Sequence, residues 1–150
     1  MGRDTGFGIY GPDSAIRELY DNAPAWCADG DDIQLYHGGM AALDFLYWRN
    51  QHRLAEILEG VFGPGYPRVP KESIWTESGE FIGVVIDPDK FYLVADRLAS
   101  FVTNWDELEY DLYEWFLKDL GIQMGRAAYW NARRDEMEQL GVKIFWYDSY

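Results

Sequence analysis

The chain has a single cysteine, Cys27. No intrachain disulfide can form, so the fold must hold without covalent cross-links, and a reducing, intracellular setting is the natural expectation. Long apolar runs are missing as well. None approaches the roughly 20 residues that span a bilayer as a helix. The start, Met1-Gly2-Arg3-Asp4, has no apolar stretch behind it, so no signal peptide is expected. Gly2 invites myristoylation, but position 6 is Gly rather than Ser or Thr. Basic residues are scarce: 13 Lys and Arg stand against 26 Asp and Glu, a formal net charge of -13. A chain this acidic repels nucleic acid and anionic membrane surfaces, which excludes both as direct partners and favours a basic one.

Catalytic and metal-binding signatures are also thin. Gly6-Phe7-Gly8 is not followed by the spacing or the Lys-Ser/Thr of a phosphate loop. Asp29-Gly30-Asp31-Asp32 lacks the spacing and distal Glu of a calcium loop. The two histidines, His37 and His52, have no zinc-type spacing, and His52 stands beside Arg49 and Arg53, a cationic setting that repels a metal ion. Acidic residues follow Cys27 and raise the cost of its thiolate, so a structural thiol is expected there rather than a nucleophile. No metal, no cofactor and no catalytic residue is therefore assigned from the residues alone.

What is plentiful is aromatic. Seven Trp, 11 Tyr and 8 Phe bring the aromatic share to 17 % within 48 % hydrophobic residues, ample for the core of one domain over residues 1–150. Buried Trp and Tyr need partners for their N–H and O–H, so a core threaded with hydrogen bonds is expected. Residues 5–10 alternate Gly with Phe and Ile as a short strand does, and Gly11-Pro12 breaks it. Asp13 is placed to cap a helix from residue 14 to about 21. Residues 33–36 form a short apolar run, a strand or the lead into a helix. Leu43, Tyr47, Leu54 and Leu58 share a stripe that predicts one long helix over residues 40–59, ended by Gly60. Residues 63–70 read as loop, and residues 81–86, rich in β-branched side chains, as the clearest strand. Asp87-Pro88 opens a helix to about Val102. Asn104 caps another to about Leu120, closed by Gly121, with a core face of Leu108, Leu112 and Trp115 or Phe116. Residues 126–140 form a further helix closed by Gly141, and residues 142–147 the last strand. Together these predict an α+β domain: a small, mostly antiparallel sheet of three or four strands covered by four or five helices.

The negative charge is uneven. Residues 1–45 hold 8 acids and 2 bases, residues 46–100 hold 8 and 6, and residues 101–150 hold 10 and 5. The helix predicted from Asn104 is the densest, with Asp106, Glu107, Glu109, Asp111, Glu114 and Asp119 against Lys118. Glu107, Asp111 and Glu114 recur at helical spacing and share a face, where like charges repel by a few tenths of a kcal/mol per pair. A structural role gains nothing from that repulsion, whereas docking onto Lys and Arg does. Asp29, Asp31, Asp32, Asp106, Glu107, Glu109, Asp111 and Glu114 are thus the expected partner-binding residues, with a merely solvated face as the plain alternative.

Two resemblances add to this. Leu35-Tyr36-His37-Gly38-Gly39 resembles the first motif of ADP-ribosyltransferases of the poly(ADP-ribose) polymerase type, in which a strand ending in Tyr-His-Gly contacts NAD. The family has Thr or Ser where this chain has Gly39. Separately, Met1-Gly2-x-Asp4 with Ile9-Tyr10, Tyr47-Trp48-Arg49, Gly79-Glu80-Phe81 with the strand and helix after it, and Phe145-Trp146-Tyr147-Asp148-Ser149-Tyr150 occur in the order of similar segments in a family of small bacteriophage and prophage proteins. The chain departs from that pattern at Arg3 and through residues 11–40. The second resemblance implies a protein acting in the cytoplasm of a bacterial host. Joined to the charge, it gives the expected function: an acidic inhibitor of a basic, nucleic-acid-binding bacterial protein or nucleoprotein complex, of the anti-CRISPR or anti-restriction kind, acting by binding rather than catalysis. The alternatives are an ADP-ribosyltransferase-like enzyme using Tyr36-His37-Gly38, and an immunity protein against a basic toxin.

Overall fold

A computed structural model describes residues 2–28, 33–66, 73–103 and 114–149. Six strands form one sheet: β1 (Asp4–Pro12), β2 (Gln34–Tyr36), β3 (Met40–Arg49), β4 (Ser73–Trp75), β5 (Phe81–Val85) and β6 (Lys143–Ser149). Their order is β2-β3-β1-β6-β5-β4, and each neighbouring pair is antiparallel. Five α-helices are described: α1 (Asp13–Asp21), α2 (His52–Phe62), α3 (Tyr92–Thr103), α4 (Glu114–Asn131) and α5 (Arg134–Gln139). The class is α+β, but the sheet is larger than the three or four strands expected.

The extra strands come from two sources. β4 is three residues, too short to show a period, whereas β2 falls within the apolar run 33–36, which is a strand and not the lead into a helix. β3 occupies the first half of what the sequence presents as a helix over residues 40–59. A β-bulge between β1 and β3 sets Phe7 opposite Leu46 and Gly8 opposite Asp44, so Phe45 is one residue too many. The buried positions then fall at Ala41, Ala42, Leu43, Phe45, Leu46 and Trp48, a pattern that breaks the strict alternation of a strand. Tyr47-Trp48-Arg49 therefore lies on a strand. Asn50, at φ 57, turns the chain, and the helix proper starts at His52.

Three helix boundaries also differ from expectation. Asp13 does not cap α1; it is the first helical residue, and its carboxylate accepts a hydrogen bond from Arg17 Nε at 2.9 Å. Asp87 does cap, accepting from the Asp89 N–H at 3.0 Å, but it opens a 3₁₀ turn that precedes α3. Gly121 does not end a helix, because α4 runs through it to Asn131. Phe116, Leu120, Gln123, Ala127 and Trp130 are all buried at helical spacing along α4. Burying each large apolar member contributes about 1.5–3 kcal/mol, more than the ~1 kcal/mol that a mid-helix glycine costs. The helix expected over residues 126–140 is in turn divided between α4 and α5. The expected cap at Asn104 lies outside the described residues, as do Leu108 and Leu112.

The helices cover one face of the sheet, packing on Phe7, Ile9, Leu43, Phe45, Ile144 and Trp146. Trp130 donates to the Cys27 carbonyl at 2.7 Å, as a hydrogen-bonded core requires, whereas the Trp48 and Trp146 indole N–H groups find no acceptor among the described residues. At the edge of this core, Arg3 donates through Nε and Nη2 to the two oxygens of the fully buried Asp148, at 2.8 and 2.6 Å. Thr5 Oγ1 donates to the same carboxylate at 3.0 Å. Among the described residues, no helix is long and apolar enough to cross a membrane.

Candidate functional site

The second face of the sheet carries Gly6, Gly8 and Tyr10 from β1, Ala42 and Asp44 from β3, and Phe145 and Tyr147 from β6. These are the residues whose neighbours along each strand point into the helical core. Among the described residues, no helix contributes to the apolar cluster on this face. Instead the sheet curls, so that Ala42 of β3, Phe145 of β6 and Ile74 of β4 share one apolar cluster, although three strands lie between β3 and β4. The β4–β5 hairpin and β2 thereby become opposite walls of one cleft.

Its floor depends on glycine. A Cβ at Gly8 would lie 2.5 Å from Phe145 Cζ and 2.7 Å from the Leu43 carbonyl oxygen, and one at Gly6 would lie 2.5 Å from Tyr147 Oη. Only the bare backbone of β1 lets the Phe145 and Tyr147 rings, stacked 6.4 Å apart, lie down across the sheet. Above them is a cavity of about 240 Å³ bounded by Tyr36, Asp44, Glu80, Phe81 and Tyr147. A second cavity, of about 320 Å³, adjoins it through Tyr36 and Glu80 and includes His37, Thr76 and Ser78. Glu77 stands at the same mouth: a Cβ on Gly38 would be 3.8 Å from its Oε1.

The charge of the cleft has one sign. Among the described residues lining the two cavities, Asp44 and Glu80 are carboxylates and none is Lys or Arg. The tyrosines register this field. Burial pushes the Tyr36 hydroxyl above its ordinary pKa, and Glu80, Asp44 and Tyr10 push it further. Tyr10, its ring 6.3 Å from that of Tyr36, is raised by burial and then by Glu77. Both hydroxyls therefore stay protonated well into alkaline solution, and Tyr36 donates to Gln34 Oε1 at 2.7 Å. Aromatic faces beside carboxylates in a partly desolvated groove suit a cation: an ammonium or guanidinium gains a charge-assisted hydrogen bond and a ring face together.

Of the residues expected to bind a partner, Asp29, Asp31, Asp32, Asp106, Glu107, Glu109 and Asp111 lie outside the described residues, and Glu114 is the first residue of α4. Of the acidic groups that the fold does bring together, Glu77 and Glu80 come from residues 46–100, where bases and acids nearly balance, and Asp44 from the end of the acidic first segment. Asp44 was hidden by the helical reading of β3. The available signal was the alternation Gly6-x-Gly8-x-Tyr10 with Phe145-x-Tyr147, small residues opposite rings.

His37 is exposed in a 3₁₀ turn after β2, and His52 is exposed at the start of α2. Among the described residues, no group of three or more His, Cys, Asp or Glu is placed to hold a metal ion. Cys27 is buried, and burial raises its thiol pKa, with Arg133 and Arg126 opposing the shift. The acids invoked from sequence, Asp29, Asp31 and Asp32, lie outside the described residues. Arg49 is exposed, 4.0 Å from Asp4, and Tyr129 and Trp130 pack within the α4 face. The chain matches no protein-family model, no curated protein and no solved structure.

Proposed function

We propose that the protein acts by binding, and that the open-face cleft receives Lys or Arg side chains of a basic partner. The observation that carries this is the lining of the cleft, where the Asp44 and Glu80 carboxylates stand among Tyr36, Phe81 and Tyr147. The net charge of -13 supports it at longer range, by steering a basic protein toward the molecule. The wider reading, an acidic inhibitor of a basic nucleic-acid-binding protein in a bacterial host, rests on that charge and on the bacteriophage resemblance. An immunity protein against a basic toxin uses the same surface, and the genes flanking its own distinguish the two.

A fluorescently labelled Lys- and Arg-rich peptide tests the cleft by anisotropy. Asp44→Asn with Glu80→Gln removes both carboxylates and weakens its binding by at least about tenfold, the loss expected from one charge-assisted contact alone. Raising salt from about 50 to about 300 mM weakens the wild-type complex further. Equal affinity of wild type and double variant would remove the cleft from the account.

One observation favours the enzymatic alternative: Tyr36, His37 and Glu80 line a single cavity, which puts a carboxylate beside the Tyr-His-Gly motif. On this reading the protein transfers label from NAD to a lysate protein, and His37→Ala abolishes the transfer. No labelled product sinks it.

A further inference from the structure

The junction of β5, β6 and α5 holds a different kind of cavity, of about 300 Å³. It exists because β5 and β6 part company. Their last shared hydrogen bond runs from the Ile86 N–H to the Ile144 carbonyl at 3.1 Å, and Asp87-Pro88 then leads the chain away in its 3₁₀ turn. The gap is roofed by α5. Gly141, at φ 73, closes that helix, with its N–H on the Glu138 carbonyl and the Val142 N–H on the Met137 carbonyl. Met137 is thereby held against Ile86, Val142 and Ile144, all four buried and all facing the gap.

The rim of this apolar slot carries Arg134 and Lys143, with Glu138 beside them. Neither cation has a carboxylate partner among the described residues. Arg134 Nη1 bonds only the neutral Asn131 Oδ1, at 3.3 Å. Glu138 stands one helical turn from Arg134 without pairing with it. In a chain with twice as many acids as bases, this apolar slot gathers two cations at its rim. The acidic cleft on the open face has no counterpart to them.

We propose that this slot binds a small amphipathic anion, an aliphatic or aromatic carboxylate whose apolar body sits against Met137, Val142 and Ile144 and whose charge meets Arg134 and Lys143. The volume is at the small end for ligand sites, which fits a single chain or ring and not a cofactor. The site is independent of the acidic cleft, so either can fail without the other.

Methionine-methyl labelling tests it directly, because the chain has only four methionines, Met1, Met40, Met124 and Met137. Titration with octanoate shifts the Met137 methyl resonance saturably and leaves Met40, two strands over on β3, in place. Lys143→Gln, an exposed substitution that leaves the core intact, weakens binding about tenfold, and octanol binds more weakly than octanoate by a similar factor. Any one of these overturns the proposal: an unmoved Met137 resonance, equal affinity for octanol, or Lys143→Gln binding as wild type. Shifts spread over Met40 and Met124 as well would show a detergent-like effect and overturn it equally.

Discussion

Arg3 and Asp148 form the costliest pair to disturb. Asp148 is fully buried, and its carboxylate is held by both Arg3 donors and by Thr5. Removing one partner strands the other charge in a site with little water. Asp148→Ala therefore lowers stability by about 3–5 kcal/mol, whereas Asp13→Ala, which breaks the exposed pair with Arg17, costs at most about 0.5 kcal/mol. Urea midpoints followed by tryptophan fluorescence compare the two, and equal shifts would mean that Arg3 finds solvent or Glu59 instead. Nothing local in the sequence marks this pair. Arg3 reads there as a departure from a family pattern and Asp148 as one acid in an aromatic tail, 145 residues apart. Only strand pairing joins them.

At the scale of elements, what was legible followed from periodicity undisturbed by bulges. The strand from Phe81, the Asp87 cap, and the end of α5 at Gly141 are all local signals, and each lies where its chemistry puts it. β3 was not legible, because the bulge at Phe45 shifts the alternation by one residue midway and breaks the strict period of a strand. The acidic cleft was lost with it, since Asp44 faces the groove only if β3 is a strand. Gly121 misled for the opposite reason: a stop signal was overridden by the buried stripe on either side of it. Gly121 is exposed and helical, and a methyl group added to its α-carbon would point into open space. Gly121→Ala therefore raises stability by about 0.5–1 kcal/mol by removing backbone freedom from the unfolded chain. A lowered thermal midpoint would show that α4 is not continuous at that point.

For the whole molecule, the shifted ionisations act in one direction. Burial comes first in raising Tyr10, Tyr36, Tyr129 and Cys27, and a hydrogen bond to Asp4 does the same for Tyr47. A group with a raised folded pKa stabilises fully below its unfolded value and loses that contribution as pH climbs through the folded one. The unfolded values are 9.0 for the thiol and 10.0 for the phenols. Stability thus declines as pH rises past about 9, and each new negative charge adds to the self-repulsion of a chain that already carries a net charge of -13. Urea midpoints at neutral and strongly alkaline pH measure this; a constant midpoint contradicts it.

The order of the sheet has one more consequence, and it concerns time. β1 and β6 are neighbours at the centre of the six strands, yet they come from opposite ends of the described chain. A ribosome releases β1 first and β6 after every other strand. Until residue 149 emerges, β1 has β3 on one side and an open ladder on the other, and β4 and β5 have no route to the rest of the sheet. Closing that ladder joins segments about as far apart in sequence as the chain allows, which belongs to the slow end of folding. The half-made sheet has to wait with its central edge exposed.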